Sequence, residues 1–287
     1  IHSLTVLLKQ LFKPFRITEI LKESTQMQTN DFLNKVAIVT GATGGIGEAI
    51  VADLAGQGCA VFAIGRNAQK LAELSQKHQG LAGAIQWVSE DLVEAQAPSR
   101  VIKGVLAWRG ALNILVNCAG ATKRGDFETL SDEDALDGFR LKLHAAVRLC
   151  REAWGPLCET QGSIINIGGV GAHTPSWEFT IGGPVNSALH HFSKALAERG
   201  IEKNVRINTI HPGFIETERL GKIIAKVQNE LACSVDEAKE TVRKRLGVQR
   251  FGQPADVAHM VTFLCSNKAA YINGAAINVD GGYTRGL

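Results

Sequence analysis

The chain has 287 residues, 45% of them hydrophobic and 21% charged. That composition is ordinary for a folded globular protein and excludes a disordered, collagen-like or disulfide-framework chain. With 31 basic against 28 acidic side chains and no basic run, the net charge of +3 gives no footprint for a nucleic-acid partner. At about 150 residues per domain the length allows one or two domains, and a single α/β domain can reach ~250 residues.

Residues 1–26 differ from the rest. Leu4, Val6, Leu7, Leu8, Leu11 and Phe12 are interleaved with Lys9, Lys13 and Arg16 before Pro14 and the first acid, Glu19, are passed. The stretch lacks the order of a secretory signal. Two readings stand: an extension or added leader, or a segment contacting a membrane surface or a partner. The domain proper is expected from Met27 to Leu287.

From Lys35 short apolar runs alternate with helical stretches. Strands are predicted at Val36–Val39, Ala60–Ile64, Ala84–Val88, Asn113–Asn117, Ser163–Ile167, Val205–Ile210 and Ala275–Val279. Helices are predicted at Gly45–Gly56, Ala68–Lys77, Ala95–Trp108, Asp132–Cys158, Asn186–Glu198 and Ala255–Cys265. This alternation predicts a doubly wound, Rossmann-type parallel sheet with helices on both faces. Residues 217–252 interrupt the rhythm and read as a helical lid over a substrate pocket. No apolar run reaches the ~18 residues of a membrane span.

The six cysteines, Cys59, Cys118, Cys150, Cys158, Cys233 and Cys265, form no C-x-x-C pair. They read as reduced thiols of a cytoplasmic protein, and neither zinc nor another metal is expected.

The first strand runs into Thr40-Gly41-Ala42-Thr43-Gly44-Gly45-Ile46-Gly47. In this strand–turn–helix context the glycines serve a tight turn, close approach of a pyrophosphate and close helix packing. The helix start then offers N–H donors to phosphates.

These residues carry a family resemblance. The TGxxxGxG spacing, Asn117-Cys118-Ala119-Gly120, Pro212-Gly213, Arg250-Phe251-Gly252-Gln253-Pro254, Asp256-Val257-Ala258 and Asp280-Gly281-Gly282 resemble a short-chain dehydrogenase/reductase over about residues 33–283. The resemblance implies that Asp91 lies near the adenine and that Asn117, Ala119 and Gly120 flank its ribose. It implies that Ile215 and Thr217 meet the nicotinamide carboxamide just past Pro212-Gly213. The position that would hold an acid for NAD is Gly65, followed by Arg66. A cation without a carboxylate suits the 2′-phosphate, so NADP(H) is favoured over NAD(H). Arg66 can also be a plain solvated residue at a helix start. A homodimer or homotetramer through the two long helices is implied as well.

The catalytic positions depart from the family. Aligned through Ser163–Ile167, the usual Ser falls on Gly169, the Tyr on Gly182, the Lys on Asn186 and the Asn on Lys142. The only tyrosines are Tyr271 and Tyr283, and no Tyr-x-x-x-Lys exists in the chain. Lys142 is therefore the candidate proton donor or replacement cation, if it is desolvated. The alternative is a lysine whose stem merely covers a helix surface.

His173, Trp177 and Glu178 lie in a loop expected to border the substrate. His190 and His191 are expected to face a neighbouring helix or a subunit interface, and His211 to touch cofactor or fill the sheet edge. Lys222, Lys226, Lys239, Arg243, Lys244 and Arg245 in the lid alternate with acids. They form either a basic mouth for an anionic substrate or a salt-bridged exposed helix. Two functions follow. One is an NADP(H)-dependent oxidoreductase with a rearranged catalytic set, acting on a small carbonyl or alcohol. The other is a catalytically silent dinucleotide-binding regulator, sensor or oligomer partner.

Overall fold

Continuous β-branched and apolar runs favour strands that are covered on both faces. β1 (Val36–Thr40), β4 (Ile114–Asn117) and β5 (Ser163–Ile167) are buried at every residue. β2 (Ala60–Gly65) and β6 (Arg206–Pro212) join them at the centre, while β3 (Ile85–Ser89) and β7 (Ala276–Val279) are only partly covered. All pairings are parallel, in the order β3-β2-β1-β4-β5-β6-β7. The structure is a computed structural model and describes residues 31–286. The expected leader and the domain start at Met27 lie outside the described residues.

Alternate strand residues feed two cores. Ala37 and Val39 pack with α1 (Gly45–Gly56) and α9 (Pro254–Cys265), whose Ile50, Leu54, Val257 and Val261 are buried. Val36 and Ile38 point the other way, toward α3 (Ala97–Arg109) and α5 (Ala145–Thr160). The Thr262 hydroxyl on α9 donates to Asp53 on α1, tying the two helices that cover the first face. The doubly wound α/β sheet is thus as the alternation predicts.

Several boundaries differ for physical reasons. The third helix starts at Ala97 rather than Ala95, with Pro98 in the first turn where its missing N–H costs nothing. The long helix expected at Asp132–Cys158 is helical throughout but not α-helical throughout. It divides into α4 (Asp132–Phe139), a π turn at Arg140–His144 and α5. The helix expected from Asn186 begins four residues earlier, as α6 (Gly182–Gly200). Pro184 again falls in a first turn, whose N–H groups have no helical partner. α2 (Ala68–Lys77) matches its prediction, with the Asn67 side chain accepting from Lys70 N–H at 3.0 Å.

The segment after β6 forms α7 (Glu218–Leu231) and α8 (Val235–Leu246). They share a small core of Leu220, Ile224, Val227, Ala238, Val242 and Phe251. A short parallel bridge between Ile215 and Gly252 closes the base of this insertion. No described helix is long and apolar enough to cross a membrane.

A buried polar ladder crosses the sheet. The Asn117 amide donates to Asn166 Oδ1 at 2.8 Å, and the Asn166 amide donates to Ser193 Oγ at 2.7 Å. Asn166 is fully buried. Replacing Asn166 by Leu leaves the Asn117 amide with only the weak Cys150 Sγ acceptor at 3.5 Å, so urea unfolding of Asn166→Leu is expected to show a loss of about 1–3 kcal/mol.

Candidate active site

The strand order reverses between β1 and β4, and ligands of open parallel sheets bind at the carboxyl ends beside such a switch. Thr40 holds this point together. Its hydroxyl accepts from the N–H groups of Cys118 and Ala119, each at 3.0 Å. Gly41 then turns with φ +65°, and a Cβ on it would lie 2.9 Å from Ala119 Cα. Only glycine satisfies both the torsion and the approach.

The turn leads into α1, whose start carries no side-chain cap. Its first-turn N–H groups and the positive end of the helix dipole are therefore available to an anion. Thr43 and Ile46 are half-buried or partly exposed along this turn. Gly45 lies against Thr217, a Cβ there falling 2.8 Å from Thr217 Cγ2. Gly47 packs on the Gly41 carbonyl. The ends of β1, β4 and β6 thus bring 41–47, 117–120 and 212–217 to one place. Pro212 and Ile215 are buried, and Gly213 sits against the Asp280 backbone. The Thr217 hydroxyl donates to Ile215 O at 3.2 Å.

Gly65, at the end of β2, is buried, and a Cβ on it would lie 3.4 Å from Thr43. Arg66 follows it, exposed, its carbonyl accepting from Ser89 Oγ. Asp91 is exposed and its carboxylate accepts from Val93 N–H at 3.1 Å. This donor set fits a dinucleotide: uncapped helix N–H groups for the pyrophosphate and an exposed guanidinium beyond β2.

Lys142 sits in the π turn between α4 and α5 and is nine-tenths buried. Its ammonium donates to Gly168 O at 2.8 Å, and its stem lies along Gly120. Burial, reinforced by the Arg219 cation, pulls its pKa down to about 7. The surface-covering alternative is set aside by geometry: the charged end points inward, to the Gly168 carbonyl.

The positions that the resemblance assigns to Ser, Tyr and Lys have different occupants. The Asn186 amide approaches Gly169, 3.1 Å from where a Cβ would be, and its own Oδ1 is buried with no partner among the described residues. The space beyond Gly182 is filled by the Phe179 ring, which a Cβ would overlap. Gly171 flanks the same ring, a Cβ there falling 2.8 Å from it. The Arg124 guanidinium stacks over it, 4.6 Å from the centroid. Glu178 pairs with Arg124 at 3.6 Å and with Lys226 of α7 at 3.0 Å.

Five of the six lid cations resolve toward the salt-bridged reading. Lys222 pairs with Glu218, Lys226 with Glu178, Lys239 with Glu216, and Arg243 and Lys244 with Glu240. Trp177 is exposed. His190, expected to face a neighbouring helix or an interface, instead meets His173 and His211, with ring centroids 4.7–5.4 Å apart. Phe179, Arg124 and this histidine trio carry no local sequence pattern, because each arises between elements remote in the chain.

The site so assembled defines a nucleotide-binding Rossmann-type protein. The chain belongs to the short-chain dehydrogenase/reductase family: the family model described as enoyl-(acyl carrier protein) reductase matches residues 41–284. It is 33% identical over 253 residues to nodulation protein G of Rhizobium sp. (strain N33), covering 88% of this chain and 98% of that protein. L-Sorbose reductase of Gluconobacter frateurii, solved with NADPH and L-sorbose, superposes with a TM-score of 0.85 at 30% identity. That match covers 89% of this chain and 98% of the reductase. A single-substitution variant of actinorhodin polyketide ketoreductase, solved with NADPH, superposes at 0.82 with 27% identity, covering 91% of this chain and 100% of that one.

The Phe179 slot yields a direct test. Gly182→Ala is expected to displace the ring and lower stability by about 1–3 kcal/mol, as overpacking does. Adding Phe179→Ala removes the clash. Thermal unfolding of the two single variants and the double variant is expected to show a cycle energy of about 0.5–3 kcal/mol that offsets the loss.

Proposed function

We propose that the chain is an NADP(H)-dependent oxidoreductase of a small carbonyl or alcohol, with a rearranged catalytic set centred on Lys142. It is carried by one domain over residues 27–287, with residues 217–252 as the lid. The observation that carries the reading is the buried Lys142 ammonium, held at the end of β5 with a pKa drawn down to about 7. A group with that pKa is matched to proton transfer at neutral pH.

NADP(H), when bound, supplies or accepts the hydride. The glycine turn and the start of α1 would hold its pyrophosphate, and Arg66 would take the 2′-phosphate. Asp91, Asn117, Ala119 and Gly120 would line the adenosine side, and Ile215 and Thr217 the nicotinamide side. Lys142 holds the proton that the substrate oxygen takes up on reduction and receives it on oxidation. The Gly168 carbonyl keeps the ammonium aimed, and Phe179 with the stacked Arg124 closes the side where a tyrosine would stand. The NADPH bound in the sorbose reductase and the ketoreductase supports the cofactor preference. The free cysteines support a cytoplasmic location. Assembly through α5 and α6 as a homodimer or homotetramer rests on the resemblance.

A second reading has its own observation. Phe179 occupies the tyrosine's space and Gly169 offers no hydroxyl. On that reading the chain binds the dinucleotide without turnover, as a regulator, sensor or oligomer partner.

The test is titration with NADPH and NADH, then NADPH oxidation across a carbonyl panel. Turnover is expected, and Lys142→Met is expected to lower kcat about 10²–10⁴-fold with NADPH binding retained. Because the protonated amine is the donor, kcat/KM for reduction should fall as pH rises above about 7, and that for oxidation should rise. Arg66→Ala should weaken NADPH about tenfold or more and leave NADH unchanged. Tight binding with no turnover favours the second reading, and turnover unaffected in Lys142→Met removes Lys142 from the mechanism.

A further inference from the structure

Three imidazoles from three separate elements converge beside the site just described. His211 lies near the end of β6, His190 lies on α6, and His173 follows β5 in the loop that leads to α6. One ligand nitrogen from each can be chosen so that all lie within 4.8 Å of one another. The rings meet edge to face, with interplanar angles of 65–79°.

His211 is the anchor. It is fully buried, and Gly168 leaves room for it: a Cβ there would lie 2.6 Å from Nδ1. Nδ1 is 3.0 Å from the Gly169 carbonyl and 3.1 Å from the Gly169 N–H. In the tautomer whose Nδ1–H donates to that carbonyl, Nε2 carries a lone pair. That Nε2 is buried and has no hydrogen-bond partner among the described residues. A buried polar atom without a partner costs free energy unless something completes it. Neither hydrophobic packing nor a helix contact accounts for it.

We infer that His173, His190 and His211 form a binding site for one divalent transition-metal ion of the zinc class. Imidazole nitrogen suits that class of ion, and a metal-bound histidine commonly donates its other N–H to a backbone carbonyl, as Nδ1 of His211 can. The spacing agrees. Zn–N bonds of about 2.0–2.1 Å at tetrahedral angles place three imidazole centroids about 5 Å apart. The observed separations are 5.4, 4.7 and 5.2 Å. Ligand nitrogens of such a site stand about 3.3 Å apart. In the structure the three nitrogens lie within 4.8 Å of one another, so an ion would draw His173, which is exposed, and His190, which is partly so, in toward His211.

Three protein ligands leave a fourth coordination position on the solvent side, the side where His173 is exposed. The inference is independent of whether Lys142 transfers a proton.

The experiment uses the full chain without a polyhistidine tag, stripped with chelator and titrated with Co²⁺. Visible absorption reports the coordination, and metal content is measured after dialysis. The expected result is one equivalent of Co²⁺ with d–d bands of a four- or five-coordinate ion, displaced by Zn²⁺. His173→Ala and His190→Ala should each weaken Co²⁺ at least tenfold, whereas His191→Ala should leave it unchanged. Zn²⁺ should raise the thermal midpoint of the wild-type chain and not of the His173→Ala/His190→Ala double variant. His211→Phe removes the anchor but can fail to fold, so the two more accessible histidines carry the test. Uptake below one equivalent without d–d bands, or uptake that survives in the double variant, overturns the inference.

Discussion

The Thr40 hydroxyl accepts two backbone N–H groups from the end of β4, and so fastens the two strands between which the sheet changes direction. Everything at the ligand-binding edge is placed relative to that fastening. Gly41 can approach Ala119 only because the strands are held this close. The turn then delivers α1 with its uncapped start facing the crevice, and Thr217 closes on Gly45 from the far side. The Asn117–Asn166–Ser193 ladder extends the same locking toward α6. Hydrogen bonds of this kind contribute modestly when made and cost more when half-made. Within the ladder the Asn117 Oδ1 alone is buried without a partner among the described residues.

On the proposed reading, the chemistry has moved within that frame. Two glycines stand where the resemblance assigns hydroxyl-bearing side chains, and an aromatic ring and an amide fill the volume beside them. A lysine enters from a different helix. Its amine lies one carbonyl away from the β5 end, within a short chain of contacts: Lys142 to the Gly168 carbonyl, and His211 Nδ1 to the Gly169 carbonyl. The backbone of Gly168 and Gly169 is therefore the shared support of both the buried amine and the histidine trio.

Much of this is legible from residues alone. The strand runs are apolar and bounded by turn residues, so the sheet and its order of helices follow from periodicity. The glycine turn declares itself by its position between strand and helix. The scarcity of tyrosine shows, without any structure, that the chain has no Tyr-x-x-x-Lys pair. What escapes reading has a common cause. The start of α6 is displaced because Pro184 lies in a first turn, where its missing N–H has no role. Nothing in the run Arg140-Leu141-Lys142-Leu143-His144 marks the π turn there. His173, His190 and His211 meet only when three elements are stacked. The expectation of no metal weighs cysteine spacing and helix faces, neither of which registers such convergence.

The π turn has one more implication. Its residues carry the buried stripe onward: Gly138 of α4, Lys142 in the turn, and Ala145, Ala146 and Leu149 of α5 follow one another at intervals of three or four. Lys142 is thus a cation on a face whose neighbours are small or apolar. Its stem packs along Gly120, and only the ammonium needs a polar partner, which the Gly168 carbonyl supplies. A buried cation can stand in a packed sheet edge given one backbone acceptor, with the apolar face on either side of it unbroken.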